Sequence, residues 1–278
     1  MGKTALILEG GAMRATYTAG VLDALLKKED FFPDRIYAVS AGSCHACSYM
    51  SHQFERNLKI ITTYAKDARY ISFRNLLFRG GVFGFKFIFD DLPNRLIPFD
   101  YDTCEKYVDR LTMVATNCKT GKAEYFTGKT VLEMFEYCQA SSSMPLLSRI
   151  KMIDGEPFLD GSISDSIPIK KSIEDGNEKH IVVLTRDKNY RKTESTTGTK
   201  LMRLIYKKYP AIAELNSKRH ISYNETLDFI EQLENEGKII VIRPSQPINV
   251  GHIERDVSVL TGIYKMGFED TLAKMQSF

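Results

Sequence analysis

Ser40 stands in AVSAG (Ala38–Gly42), after the apolar run RIYAV and before a stretch of small and apolar residues that reads as a helix. A serine on a sharp strand-to-helix turn is a nucleophile held above its own backbone. The turn brings strand and helix close, which favours glycine two residues to either side. Here those positions hold Ala38 and Gly42. Upstream, EGGAMRA (Glu9–Ala15) lies between a strand-like TALIL and a helical pattern, where unbonded backbone N–H groups can hold an anion. Beside a nucleophilic serine, that anion would be the oxyanion of acyl transfer. Far downstream, Asp160 in FLDGSISDSIPI ends a short strand and precedes Gly161, so a turn can present its carboxylate.

A serine hydroxyl needs a base. Of the five histidines, His52 and His220 sit among polar neighbours and His180 opens a buried strand. His45 falls five positions along the helix after Ser40, on the wrong side of it. His252, in a loop after a late strand, fits a Ser–Asp–His order and is the alternative. Asp160 is the better candidate. Burial with few donors raises a carboxylate pKa, and a strong oxyanion hole reduces the demand on the base.

Other chemistries fit poorly. The glycine loop does not match GxGxxG, and the next strand ends in Ser40 where a dinucleotide fold would place an acid. GKT at Gly2 and TGKT at Thr127 lack the context of a phosphate loop. Cys44 and Cys47 form a CxxC without a second pair, a poor zinc site better explained by core packing. Five cysteines without a secretory signal point to free thiols in a reducing compartment.

The positioning elements follow from periodicity. TALIL, the Gly loop, a helix over 16–28 and the strand Arg35–Val39 make a βαβ unit with parallel strands. LTMVATN with KAEYF, and RIKMI with EPFLD, read as hairpins. A short helix after Pro168, the strand HIVVLT, a polar loop over 186–200, helices over 200–236, the strand KIIVIRP and a helix over Asp256–Met275 complete the chain. With 278 residues and 43% apolar content, one substantial core is expected. A net charge of +3 permits an anionic partner but is no nucleic-acid footprint. No apolar run approaches the ~20 residues needed to span a bilayer. The expected location is the cytoplasm, with any membrane contact peripheral; the oligomeric state is not legible.

Two further stretches bear on substrate. Phe83, Phe85, Phe87 and Phe89 alternate at period two, predicting one apolar face of an extended segment that borders the site. Residues 186–208 carry eight basic side chains against Asp187 and Glu194, read as a solvated charged face, with anionic headgroups as the alternative.

The glycine loop, the serine turn and the Asp-Gly pair, in this order, resemble the patatin-like phospholipase family, whose pattern is G-G-G-x-[RK]-G, G-x-S-x-G and D-G-[GA]. The likeness covers essentially the whole chain and points to a bacterial branch, through LEGGAMRATYTAGVLDALL, FGFKFIFDDLPNRLIPFD, VATNCKTGKAEYF, ASSSMPL and ERDVSVLTGIYKMGFED. The resemblance implies a single three-layer α/β domain over 1–278, with a mostly parallel central sheet and a helical C-terminal portion from about 200. It implies a serine acyl-hydrolase of lipid esters, with Ser40 as nucleophile and Asp160 as base. Gly10, Gly11 and Ala12 would line the oxyanion hole and Arg14 would brace the loop, with no metal or cofactor. Ala12, Ala15, Ala38 and Ser162 depart from the pattern. Alanine does not easily take the positive φ that glycine adopts, and losing one oxyanion donor would cost about 3 kcal/mol. A lipid-binding or scaffold protein with weak or no hydrolysis is therefore the second class.

Overall fold

The computed structural model describes residues 2–28 and 31–275. In chain order, β1 (Thr4–Leu8), α1 (Thr16–Leu26), β2 (Arg35–Val39) and α2 (Ala41–Met50) form the leading βαβα unit. The helices α3 (Arg56–Tyr64) and α4 (Phe73–Arg79), a π-helix (Phe87–Leu96) and α5 (Tyr101–Glu105) follow. Then come β3 (Leu111–Asn117), β4 (Ala123–Thr127), α6 (Val131–Ser141), β5 (Lys151–Ile153), β6 (Glu156–Asp160) and α7 (Ile169–Glu174). The chain closes with β7 (Lys179–Val183), α8 (Thr196–Ile205), α9 (Pro210–Asn235), β8 (Ile239–Ile242) and α10 (Val257–Met275).

Strands β3, β2, β1, β7 and β8 pair parallel in that order. Their apolar residues divide by parity, because successive side chains leave a strand on opposite faces. Leu6, Leu8, Ile36, Ala38, Ile181 and Val183 pack with α1, α2 and α10. Ala5, Ile7, Tyr37, Val182 and Leu184 pack with α7 and α9. The result is a three-layer α/β architecture, and near-continuous apolar strands are what a sheet covered on both faces requires.

The registers at β3 decide where the two motif ends meet. β2 pairs with Leu111–Val114, and β4 occupies the other edge from Thr112 to Thr116. β6 pairs antiparallel with Ala115–Asn117, where β4 still holds its own edge. So β6 takes the edge that β2 has just left. Val39 is partnered by Val114 and Asp160 by Ala115, the next residue. Two strands running in opposite directions thus end against each other. Gly161 is needed at that junction, since a β-carbon there would lie 2.2 Å from the Val114 carbonyl oxygen.

The C-terminal helix is tied into the first layer. At the α1–α10 crossing, a β-carbon on Gly20 would fall 2.0 Å from the Tyr264 carbonyl oxygen, and one on Gly267 2.1 Å from that of Tyr17. Reciprocal Tyr–Asp bonds flank the crossing: Tyr17 donates to Asp270 and Tyr264 to Asp23.

Two expectations need correction. The phenylalanine run is not an extended face. Only Phe83 lies in an extended bridge, with Ile71, and the chain is helical from Phe85 onward. Phe85 and Phe89 therefore meet as i,i+4 neighbours, ring centroids 5.9 Å apart, while Phe87 is fully buried. Nor is 186–200 all loop. α8 begins at Thr196, and it reads as polar because it buries only Thr199 and Met202. Among the described residues, no helix is long and apolar enough to cross a membrane.

Candidate active site

Ser40 is the turn between β2 and α2, at φ 55° and ψ −128°. A positive φ on a residue with a β-carbon costs about 1–3 kcal/mol and persists only where neighbours enforce it. Its amide donates to Ser141 Oγ on α6 at 2.9 Å, and its carbonyl accepts from the Ser43 amide in the first turn of α2. The hydroxyl, thus aimed, donates to Asp160 Oδ2 at 2.6 Å.

Asp160 is held at every polar atom. Its amide donates to the Ser143 carbonyl and its own carbonyl accepts from Thr116 Oγ1, both at 2.8 Å. Oδ1 accepts from the Ser162 amide at 2.8 Å. The residue is 1% exposed. Burial pushes its carboxyl above the usual range, opposed by the hydrogen bonds from Ser40 and Ser162 and by the charge of Arg219.

The glycine loop lies directly against the serine: a β-carbon at Gly10 would be 3.0 Å from Ser40 Cβ. Ala12 takes φ 47°, the left-handed conformation expected to trouble alanine, at a cost of about 1–2 kcal/mol. Among the described residues, the N–H groups of Gly10, Gly11 and Ala12 donate to no acceptor. Arg14 bonds the loop through its backbone, its amide donating to the Gly11 carbonyl at 3.1 Å, while its buried side-chain Nε is without a partner among the described residues. Glu9 holds the loop by its side chain. Its Oε2 accepts from the amide and hydroxyl of Thr185, and its Oε1 accepts from the Tyr223 hydroxyl on α9 at 2.6 Å.

A cleft of about 570 Å³ of empty space, part of it open to solvent, begins at Ser40 and Ala12. Its walls are mostly apolar, from Met13, Ile61, Tyr70, Phe83, Phe85 and Met144. A second cavity, bounded by Phe89, Phe99 and Phe135, shares Cys44, His45, Ile61, Tyr70 and Ile88 with the first.

His45 does reach the cleft wall, contrary to its expected placement, because the cleft runs along α2 as well as across its start. Burial pushes its imidazole down to about 4, and it makes no hydrogen bond to Ser40. His252 bonds neither Ser40 nor Asp160, and burial together with cationic neighbours pushes its pKa down. Cys44 also lines the cleft, with its sulfur 3.5 Å from Cys138 on α6, whereas Cys47 is buried and donates to the Ser43 carbonyl. Among the described residues, no group of His, Cys, Asp or Glu could hold a metal ion.

Sequence reasoning misses Glu9, Thr116, Ser141 and Ser143. The run ASSSMPL is a signal for Ser141, whose hydroxyl accepts from the Ser40 amide, but not for Ser143, which acts through its main-chain carbonyl.

Known proteins resemble this chain to different degrees. The uncharacterized protein YjjU of Escherichia coli (strain K12) is 25% identical over 271 residues, spanning 96% of this chain and 75% of that protein. The crystal structure of VipD from Legionella pneumophila superposes with a TM-score of 0.48 at 13% identity, covering 99% of this chain and 67% of that one. A model for a domain of unknown function matches residues 209–278. The patatin-like phospholipase model matches residues 6–172, a span that contains the glycine loop, Ser40 and Asp160. The chain belongs to the patatin-like phospholipase family.

Proposed function

We propose that this protein is a serine acyl-hydrolase of lipid esters that works through a Ser40–Asp160 dyad. Family membership supports a lipase-type function. The observation that carries the finer reading is the 2.6 Å hydrogen bond from Oγ of Ser40, which lines an apolar cleft, to the buried Asp160 carboxylate. Asp160 accepts the hydroxyl proton as Oγ bonds to the ester carbonyl carbon. The negative charge that develops on the carbonyl oxygen is met by N–H groups of the Gly10–Ala12 loop. Asp160 returns the proton to the leaving alkoxide, and the acyl-enzyme forms as the C–O bond breaks. Water, deprotonated by the same carboxylate, then releases the fatty acid and restores Ser40. No cofactor enters this chemistry.

The lipid-binding alternative rests on the alanines in the loop. Because Ala12 takes the left-handed conformation, that substitution does not argue against hydrolysis. The deciding experiment is ester turnover by the wild type and by Ser40→Ala.

The cleft walls support acyl-chain binding. Phe85→Ser should lower hydrolysis of long-chain esters by about tenfold relative to short-chain ones, since each buried aromatic contributes roughly 1.5–3 kcal/mol. Equal losses on a p-nitrophenyl ester series would remove Phe85 from the acyl site. Phe87 is unsuitable for this test, being part of the core.

Peripheral membrane contact belongs to the same reading. α4 spans the segment between the bridged residues Ile71 and Phe83 and presents exposed Phe73, Leu77 and Phe78. The double change Leu77→Ser and Phe78→Ser should weaken sedimentation with phospholipid vesicles severalfold, because each exposed side chain would bury apolar area in the lipid. Unchanged sedimentation would free this face of that role.

A further inference from the structure

The basic run after β7 divides in two. Arg191 is paired with Asp228 and Glu231, and Lys188 with Glu231, as expected of a solvated face. Arg186 and Lys192 turn inward instead. The Arg186 guanidinium lies 4.2 Å from the ring centroid of Tyr190, and the Lys192 ammonium 4.7 Å from that of Tyr223. The two rings meet edge to face, with centroids 6.1 Å apart. Arg219 precedes Tyr223 by one turn of α9, on the same side of the helix. Arg14, from the turn after the glycine loop, is an electrostatic neighbour of both Arg186 and Lys192.

The carboxylate that acts on Arg14 and Lys192 is Glu9, and both of its oxygens are already taken by Thr185 and Tyr223. The Nε groups of Arg14, Arg186 and Arg219 are buried and, among the described residues, have no acceptor. Burial and the neighbouring charges, Arg219 foremost, pull the Lys192 ammonium down to about 8. Like charges gathered away from water are unfavourable unless an anion joins them, and forked guanidinium donors suit a multi-oxygen anion. The cluster also adjoins the reacting pair: Arg219 acts on the Asp160 carboxylate, and Arg14 follows the loop that lies on Ser40.

We propose that Arg14, Arg186, Lys192 and Arg219 form a site for a phosphate group beside the Ser40–Asp160 pair, so that the protein selects anionic phosphorylated lipids over neutral ones. Residues beyond the segment matched by the patatin-like phospholipase model supply three of its four cations. As a substrate subsite it rests on the acyl-hydrolase reading; as a binding site it does not.

The test is calorimetric, on Ser40→Ala protein so that nothing is turned over. Dihexanoyl phosphatidate should bind at least about tenfold more tightly than dihexanoylglycerol, the equivalent of about 1.4 kcal/mol. Arg186→Gln with Lys192→Gln should bring the two lipids within about twofold of each other, while Lys192→Arg alone should retain the preference. Inorganic phosphate that displaces phosphatidate would show that the phosphate group alone is recognised. Failure to displace it, with the lipid preference intact, would assign the site to a lipid headgroup. Equal or absent binding of the two lipids overturns the proposal. A phosphatidate preference in a protein whose wild type hydrolyses no ester would sink the hydrolase reading and leave the anion site standing.

Discussion

Alanine at Ser40 should lower turnover of a short-chain p-nitrophenyl ester by about 10⁴-fold or more and abolish labelling by a fluorophosphonate. Removing the attacking oxygen leaves only the N–H donors of the loop and the binding cleft, and such remnants supply a small part of a serine hydrolase's acceleration. The variant should still fold, although not without cost. Asp160 Oδ2 loses the donor it now has at 2.6 Å, and an unsatisfied buried acceptor costs roughly 1–3 kcal/mol. The backbone strain at φ 55° remains, since alanine carries a β-carbon as serine does. A modest fall in melting temperature is therefore expected beside the loss of activity. Equal rates for the wild type and the variant would leave the lipid-binding reading in possession.

The three motifs are legible because each is a local event. An apolar run of five residues stops at a glycine or a small polar residue, and that much is written in neighbouring positions. Their convergence is not written there. Ser40 and Asp160 meet because β6 runs antiparallel into the edge of β3 that β2 vacates at Val114, and register is a property of paired strands. The second hairpin is visible in the sequence, but nothing in EPFLD says which strand it will join. The loop's support is hidden for the same reason, since Glu9 finds Tyr223 across 214 positions. The phenylalanine run misleads because period two fits a strand, whereas here Phe85 and Phe89 meet one helical turn apart around Phe87. The basic run shows only its total charge. Its members differ in whether a carboxylate from α9 reaches them, and that depends on how α9 packs.

Asparagine at Asp160 separates function from stability. In the proposed mechanism catalysis needs the ionised carboxylate, so kcat/KM should rise with pH through a single ionisation lying above the ordinary aspartate value of about 3.9, because burial outweighs the hydrogen bonds that favour the charge. The amide of the Asp160→Asn variant cannot accept a proton. Turnover should fall by about 10⁴-fold, and the acid limb should disappear from whatever activity remains. Stability runs the other way. A carboxyl whose pKa is raised by folding binds its proton more tightly in the native state, so its contribution to stability is full below the unfolded pKa and is lost as pH rises through the folded one. At neutral pH the wild type therefore carries the penalty of a buried charge and the amide does not. The amide oxygen can still accept from the Ser162 N–H, as Oδ1 of the carboxylate does. The Asp160→Asn protein should melt a few degrees above the wild type at neutral pH, with the gap closing as the pH is lowered through the folded pKa. If the acid limb survives in that variant, another group takes the Ser40 proton. If its melting temperature falls at neutral pH, the carboxylate is held there by more than Ser40, Ser162 and Arg219 supply.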